Sequence, residues 1–153
     1  MKAVKENENV KGKLRLNQCY AIAQCIFDLS STTEKLKGKI VYALQKNEAK
    51  LESVLKKADK ERKAIIDKYV KINKDGSYDL TKPSDEEIAK GARPEYIYKK
   101  DSDKELALKE ISEMMEKEVD IEFHKIWMAD FENIDINVSR NPNIALFIDY
   151  LVE

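Results

Sequence analysis

The sequence lacks the features that most membrane, secreted and enzymatic protein classes require. No apolar run reaches the roughly eighteen residues of a membrane-spanning helix, and the N-terminal mixture of Lys, Glu and Asn lacks the apolar core of a secretory signal. No catalytic motif in the sequence is specific. We therefore expect a cytoplasmic protein with no enzymatic activity, no cofactor and no membrane contact.

Glycine, proline and cysteine are scarce as well, with 4, 3 and 2 residues among 153. Together with 42% apolar and 37% charged residues, this composition predicts a single globular, helix-rich domain over residues 1–153. Cys19 and Cys25 lie six residues apart in a predicted helix, which places them on different faces, so they cannot easily form a disulfide. We expect buried, reduced thiols; a metal or redox role is the alternative.

The net charge of −1 conceals an uneven distribution along the chain. Residues 1–100 carry 23 basic and 15 acidic side chains, whereas residues 101–153 carry 5 and 14. One interpretation is that the acidic segment packs beside the basic one and partly neutralises it. The others are a lysine face that binds nucleic acid, and an acidic surface that occupies another protein's nucleic-acid groove. Nucleic acid is thus a candidate partner that the sequence does not favour.

The dominant pattern is a helix predicted over residues 31–72, opened by a capping box of Ser31 and Glu34. Forty helical residues span roughly 60 Å, more than the diameter of about 38 Å of a compact protein of this size. The helix is therefore expected either to protrude or to kink, with Gly38 as the expected kink. Its apolar, coiled-coil-like seam includes the polar Asn47 and packs either within the chain or against a second copy. The interface candidates in this seam are Ile40, Leu44, Leu51, Val54 and Ile65.

Period-two alternation predicts short strands at residues 10–16 and 119–127, with a weaker repeat over 134–138. The predicted fold class is α+β and predominantly helical. The first two helices form a long antiparallel helical hairpin, a small sheet brings residues 10–16 beside 119–127, and a C-terminal helix covers it.

The remaining helices and turns are predicted from their caps. Four features carry these predictions: Asn17 before a helix over residues 18–29, a helix from Ser84 to Gly91, a helix after Ser102, and a terminal helix opened by Asn141 and Pro142. The Asp75-Gly76 pair predicts a tight turn.

That turn also resembles part of a calcium-binding loop, with Asn73, Asp75 and Gly76 at three of its positions. The first and last ligand positions would be Lys71 and Lys82, where cations replace essential carboxylates. The sequence therefore predicts a turn and no calcium site.

Four polar side chains alternate with apolar ones on the strand predicted near residue 120. They are Glu118, Asp120, Glu122 and His124. Such a cluster could hold a hard metal ion or supply a general acid and base. A solvated sheet face explains the alternation equally, and we expect that role.

Lysines form a stripe on the long helix, roughly 110° from the apolar seam. The candidates for contact with a partner are Lys39, Lys46, Lys50 and Lys57. A stripe of this kind could follow a phosphate backbone, but we expect a solvated face, because we find no aromatic residue along it for base stacking.

Aromatic residues elsewhere suggest a protein contact. Tyr96 and Tyr98 lie near Arg93, a composition typical of protein-interface hot spots, so both are candidates for partner binding. A loop packed on the protein's own core explains the cluster equally. Met114, Met115, Trp127 and Met128 are expected to fill the core, with a ligand groove as the alternative. Phe27 is expected on the apolar, buried side of the first predicted helix.

Three stretches of the chain resemble small uncharacterised helical proteins of tailed phages and prophages. They are Leu36-Lys37-Gly38-Lys39, the turn Lys74-Asp75-Gly76, and residues 118–126 before the terminal helix. The resemblance implies a phage-encoded viral protein that acts in the host cytoplasm or in the virion, and it implies no catalytic residue.

Two functional hypotheses follow. The first is a non-enzymatic assembly or adaptor protein that acts through protein–protein contacts, either with a second copy or with another protein. The alternative is an inhibitor of a host nucleic-acid-processing or defence enzyme that acts through its charged surfaces.

Overall fold

The structure is a computed structural model that describes residues 13–31, 36–131 and 143–153. The fold is α+β and predominantly helical, as predicted. Its elements are β1 (Leu14–Arg15), α1 (Leu16–Ser30), α2 (Gly38–Tyr69), α3 (Asp85–Ala89), α4 (Asp103–Met115), β2 (Glu118–Val119), a 3₁₀ turn (Met128–Phe131) and α5 (Ile144–Leu151). Among the described residues, no helix is both long and apolar enough to cross a membrane.

The chain forms two compact units. Unit 1 combines Met1–Ala58 with Met115–Glu153, and unit 2 is Asp59–Met114. The helix α2 contributes its first part to unit 1 and its last part to unit 2.

The core of unit 1 is built from α1, the first half of α2 and α5. Both cysteines are fully buried in it, as expected. β1 pairs with β2 in an antiparallel sheet, with Leu14 opposite Val119 and Arg15 opposite Glu118. The predicted sheet is therefore confirmed at these two pairs, and the predicted C-terminal helix is confirmed as α5.

α1 begins earlier than its predicted cap. Arg15 precedes the helix, and its backbone N–H donates to Gln18 Oε1 over 2.9 Å. Asn17, predicted as the cap, lies inside the first turn, where its amide is 3.3 Å from Glu116 Oε1. Phe27, predicted to be buried, is 65% exposed, so both expectations are wrong.

α2 is an unbroken helix of 32 residues, about 48 Å long at 1.5 Å per residue. Gly38 is its first residue, so the kink expected there is wrong: the glycine occupies the flexible start of the helix. The helix ends at Tyr69, and Ile72 already pairs in the turn that follows. Residues 32–35 of the predicted helix, which include the capping residue Glu34, lie outside the described residues.

The strand predicted over residues 119–127 is wrong beyond Val119, and a buried amide explains the difference. Asn47 is fully buried, its Nδ2 donates to the carbonyl oxygen of His124 over 2.9 Å, and its Oδ1 accepts from the N–H of His124 over 2.8 Å. These backbone groups therefore pair with a helix side chain instead of a neighbouring strand. Ile126 then forms a single parallel bridge with Val152. The strand predicted at 134–138 and the cap at Asn141 and Pro142 lie outside the described residues.

The turns of unit 2 follow the sequence closely. The hairpin at Asp75-Gly76 is confirmed: Ile72 pairs with Tyr78, and Gly76 has a φ of 87°, which glycine adopts readily. The Ser84 hydroxyl accepts from the N–H of Glu87 and caps α3 as predicted.

The uneven charge distribution along the sequence does not give the two units opposite net charges. In unit 1, residues 1–58 carry 12 basic and 6 acidic side chains, and residues 115–153 carry 3 and 9. Unit 1 therefore has no net charge, and unit 2 has a net charge of −1 from 13 basic and 14 acidic residues. An ion pair of 3.0 Å between Arg15 and Glu116 joins the two segments of unit 1.

Candidate functional site

The predicted seam on α2 is largely occupied by the chain's own core. Ile40, Leu44 and Leu51 are at most 2% exposed, and Val54 and Ile65 are half-buried. The oligomer interface predicted along this seam therefore has no exposed apolar surface at its first three positions. Contact of the seam with a second copy stays a prediction.

The predicted lysine stripe is exposed at Lys39, Lys46, Lys50 and Lys57. Two of these lysines have partners in their own unit. Lys50 Nζ donates to the carbonyl oxygen of Glu122 over 2.6 Å, and Lys46 Nζ lies 4.9 Å from the centroid of the Tyr42 ring.

Tyr42 also corrects the view that the stripe has no aromatic residue. It is half-exposed, and its ring meets the His124 ring edge-on at 5.7 Å. The helical spacing of residues 42 and 46 was the signal in the sequence.

The acidic face near residue 120 is solvated, as expected. Glu118, Asp120, Glu122 and His124 are all exposed. In the described part of the chain, no group of three His, Cys, Asp or Glu residues could hold a metal ion.

The expectation for the large side chains beyond this face is partly wrong. Met114 is buried and Met115 half-buried, but Trp127 and Met128 are more than half exposed.

The two tyrosine candidates belong to a closed arrangement of three extended segments in unit 2, residues 70–72, 78–80 and 96–98, which we call the β-ring. Each segment pairs with both others, through the antiparallel bridges Val70–Tyr98, Ile72–Tyr78 and Leu80–Tyr96.

Three backbone hydrogen bonds close the β-ring in a cycle. The N–H of Lys71 donates to Ile97 O over 2.8 Å, the N–H of Ile97 to Asp79 O over 2.9 Å, and the N–H of Asp79 to Lys71 O over 2.8 Å. The segment at residues 96–98 thus supplies one side of a closed backbone triangle.

A cavity of about 550 Å³ is lined in part by residues of the β-ring. We call it the Tyr96 groove, and its lining residues are Leu80, Pro94, Glu95, Tyr96, Tyr98 and Lys104. Leu80 and Tyr96 are 40% and 39% exposed, so the groove presents apolar and aromatic surface to solvent. A second cavity of about 540 Å³ shares Leu80 and Pro94 with it and extends towards Ile88.

The Tyr96 ring contacts a second tyrosine, which is itself held by hydrogen bonds to α2. It meets the Tyr78 ring edge-on, with centroids 5.4 Å apart and an interplanar angle of 73°. The Tyr78 hydroxyl donates to Asp67 Oδ1 over 2.5 Å, and Lys63 Nζ is 2.8 Å from Asp67 Oδ2. Hydrogen bonds from Lys63 and then Tyr78 hold the pKa of Asp67 below its usual value.

A second polar cluster ties α2 to α4 within unit 2. Lys68 Nζ and the Tyr69 hydroxyl donate to Glu110 Oε1 over 2.9 and 2.6 Å. These two bonds lower the pKa of Glu110, and the same contact raises the pKa of Tyr69. Both clusters fix side chains around the β-ring and leave the groove's own residues accessible.

Sequence reasoning identified Tyr96 and Tyr98 but missed Leu80, Pro94 and Lys104. One signal could have found Leu80, because it alternates with Tyr78 as Tyr96 alternates with Tyr98, and such matching runs favour pairing. Lys104 comes from the first turn of α4, so only tertiary structure places it here.

Comparisons with known proteins give no relative from which the role of the site could be inferred. No protein-family model, curated protein or solved structure matches the chain.

Proposed function

We propose that this chain is a non-enzymatic adaptor or assembly protein, and that the Tyr96 groove binds a protein partner. The observation that carries the proposal is the exposed apolar and aromatic lining of this groove, on a backbone ring closed by three hydrogen bonds. Burying Leu80 and the Tyr96 ring under a partner would remove apolar area from water, which is the main driving force of protein association.

The groove also satisfies the conditions of an interface hot spot. Such hot spots are rich in tyrosine and lie in well-packed pockets. The edge contact with Tyr78 and the closed β-ring hold Tyr96 in place before a partner arrives, so little conformational entropy is lost on binding.

The chemistry of the groove favours binding over catalysis. Its charged residues are one carboxylate, Glu95, and one ammonium group, Lys104. Among the described residues, the contact of Glu95 with the Thr81 hydroxyl is made by its backbone N–H and not by its carboxylate, whereas an activated nucleophile needs an adjacent base.

The resemblance to proteins of tailed phages sets the context of the proposal. We propose virion components as the first partners to test, with assembly as the role. The inhibitor hypothesis remains a prediction; recovery of a host nuclease or polymerase at the groove would favour it.

Site-specific photo-crosslinking tests the proposal. The photo-reactive amino acid p-benzoylphenylalanine replaces Tyr96 in one variant and Leu108 in the control; Leu108 is an exposed apolar residue of unit 2 that does not line the groove. We expect a discrete protein adduct from position 96 and none from position 108, in cells that naturally contain the chain. The same adducts from both positions, or none from either, would contradict the proposal.

A further inference from the structure

The β-ring leaves backbone N–H and C=O groups without partners in its own segments. In antiparallel pairing, hydrogen-bonded positions alternate with positions whose N–H and C=O point the other way. Lys71, Asp79 and Ile97 use their backbone groups inside the ring. Their neighbours in each segment therefore direct theirs away from it.

Three of these neighbours, Leu80, Tyr96 and Tyr98, line the groove itself, and the last two belong to one segment. Among the described residues, the backbone N–H and C=O of Tyr96 and Tyr98 have no hydrogen-bond partner. The two residues are separated by one position, which is the repeat of a β-strand edge. The groove thus combines apolar side chains with two donors and two acceptors at strand spacing.

From this arrangement we infer that the Tyr96 groove binds an extended peptide segment of another protein by adding it as a strand to the 96–98 segment of the β-ring. This inference rests on the proposed protein-binding function and specifies the partner's conformation. Backbone pairing supplies affinity in this mode, and alternate side chains supply specificity.

The lining residues define the chemistry of the peptide. Apolar side chains on one face of the peptide would contact Leu80, Pro94 and the Tyr96 ring. A cationic residue of the peptide would complement Glu95, and a carboxylate would complement Lys104. A peptide with a cation, two apolar residues and a carboxylate at alternate positions fits the groove.

The probe is the peptide acetyl-Lys-Thr-Val-Thr-Val-Thr-Asp-amide, titrated into the full, ¹⁵N-labelled chain and followed by NMR. In an extended peptide, the valine amides face one edge and the threonine amides the other. Two further peptides carry N-methyl groups on the two valines or on the first two threonines. They have the same composition and the same number of N-methyl groups, so they are matched controls.

We expect the unmodified peptide to shift the amide signals of Tyr96 and Tyr98. One N-methylation pattern should weaken binding about tenfold or more, because it removes the hydrogen bonds to the ring, and the other should leave it unchanged. Equal binding of both methylated peptides would overturn the strand pairing while leaving the protein-binding function intact. Absence of binding by all three peptides at millimolar concentration would also overturn it.

Variants of Tyr96 test the chain's side of the contact. Tyr96→Ala removes the ring, and Tyr96→Pro removes both the ring and the outward N–H. We expect the proline variant to bind the probe about tenfold more weakly than the alanine variant, with the Ile97 amide still protected from exchange as evidence that the ring is folded. Equal affinities of the two variants would contradict the inference.

A second copy of the chain is the alternative occupant of the Tyr96 groove. If light scattering shows that the wild type forms dimers that Tyr96→Ala dissociates and Leu108→Ala does not, the groove binds a second copy, and the inference of a heterologous peptide is wrong.

Discussion

Replacing the buried amide of Asn47 tests how unit 1 is held together. Asn47→Leu keeps a side chain of similar size and removes both hydrogen bonds to the backbone of His124. The backbone N–H and C=O of His124 then lose their partners near a fully buried position.

The expected loss of stability follows from these two groups. Leaving a buried polar group without a partner costs about 1–3 kcal/mol. His124 is exposed at its side chain, so water reaches part of this site, and we expect a total loss of about 2–4 kcal/mol. A domain is stable by only about 5–15 kcal/mol, so this loss is large.

The assay is urea denaturation followed by circular dichroism, combined with hydrogen exchange at residues 120–126, because two units need not unfold together. Gln45→Leu is the matched control, since it replaces an exposed amide on the same helix and should change stability by less than about 0.5 kcal/mol. A loss below about 1 kcal/mol for Asn47→Leu, with unchanged exchange at residues 120–126, would refute the reasoning.

Two other predictions concern particular backbone and ionisable groups. Gly76→Ala should destabilise unit 2 by about 1–2 kcal/mol, because φ of 87° is unfavourable for alanine, whereas Gly38→Ala at the start of α2 should not destabilise the chain; equal effects on urea denaturation would contradict this. The pKa of Asp67 is lowered in the folded state, so the unfolded chain binds more protons in acid. The stability that Asp67 contributes should therefore be present above about pH 4 and be lost as the pH falls further. Asp67→Asn should therefore flatten the decline of unit 2 stability between about pH 5 and pH 2; an unchanged decline would show that Asp67 does not contribute.

Local patterns predicted the parts of the fold that depend on neighbouring residues. The Asp75-Gly76 turn, the Ser84 cap and the long helix are each determined within a few residues, by glycine's backbone freedom, side-chain capping and apolar periodicity. The structure confirms the turn and the cap, and it confirms helix over Gly38–Tyr69.

Long-range partners explain the errors. The alternation after Val119 correctly predicted which side chains are exposed, but it could not reveal that Asn47, 77 positions away from His124, takes the backbone groups a strand would use.

The candidate site also depends on partners that are distant in the sequence. Tyr96 and Tyr98 were recognised as an aromatic pair, yet their significance depends on the segments at residues 70–72 and 78–80, which turn their backbone groups outward. A sequence records the tyrosines but not which of their N–H groups are already used. Binding by strand addition requires unused backbone groups beside apolar surface. The hydrogen-bond cycle of the β-ring leaves those groups of Tyr96 and Tyr98 unused, and the proposed peptide contact depends on this observation.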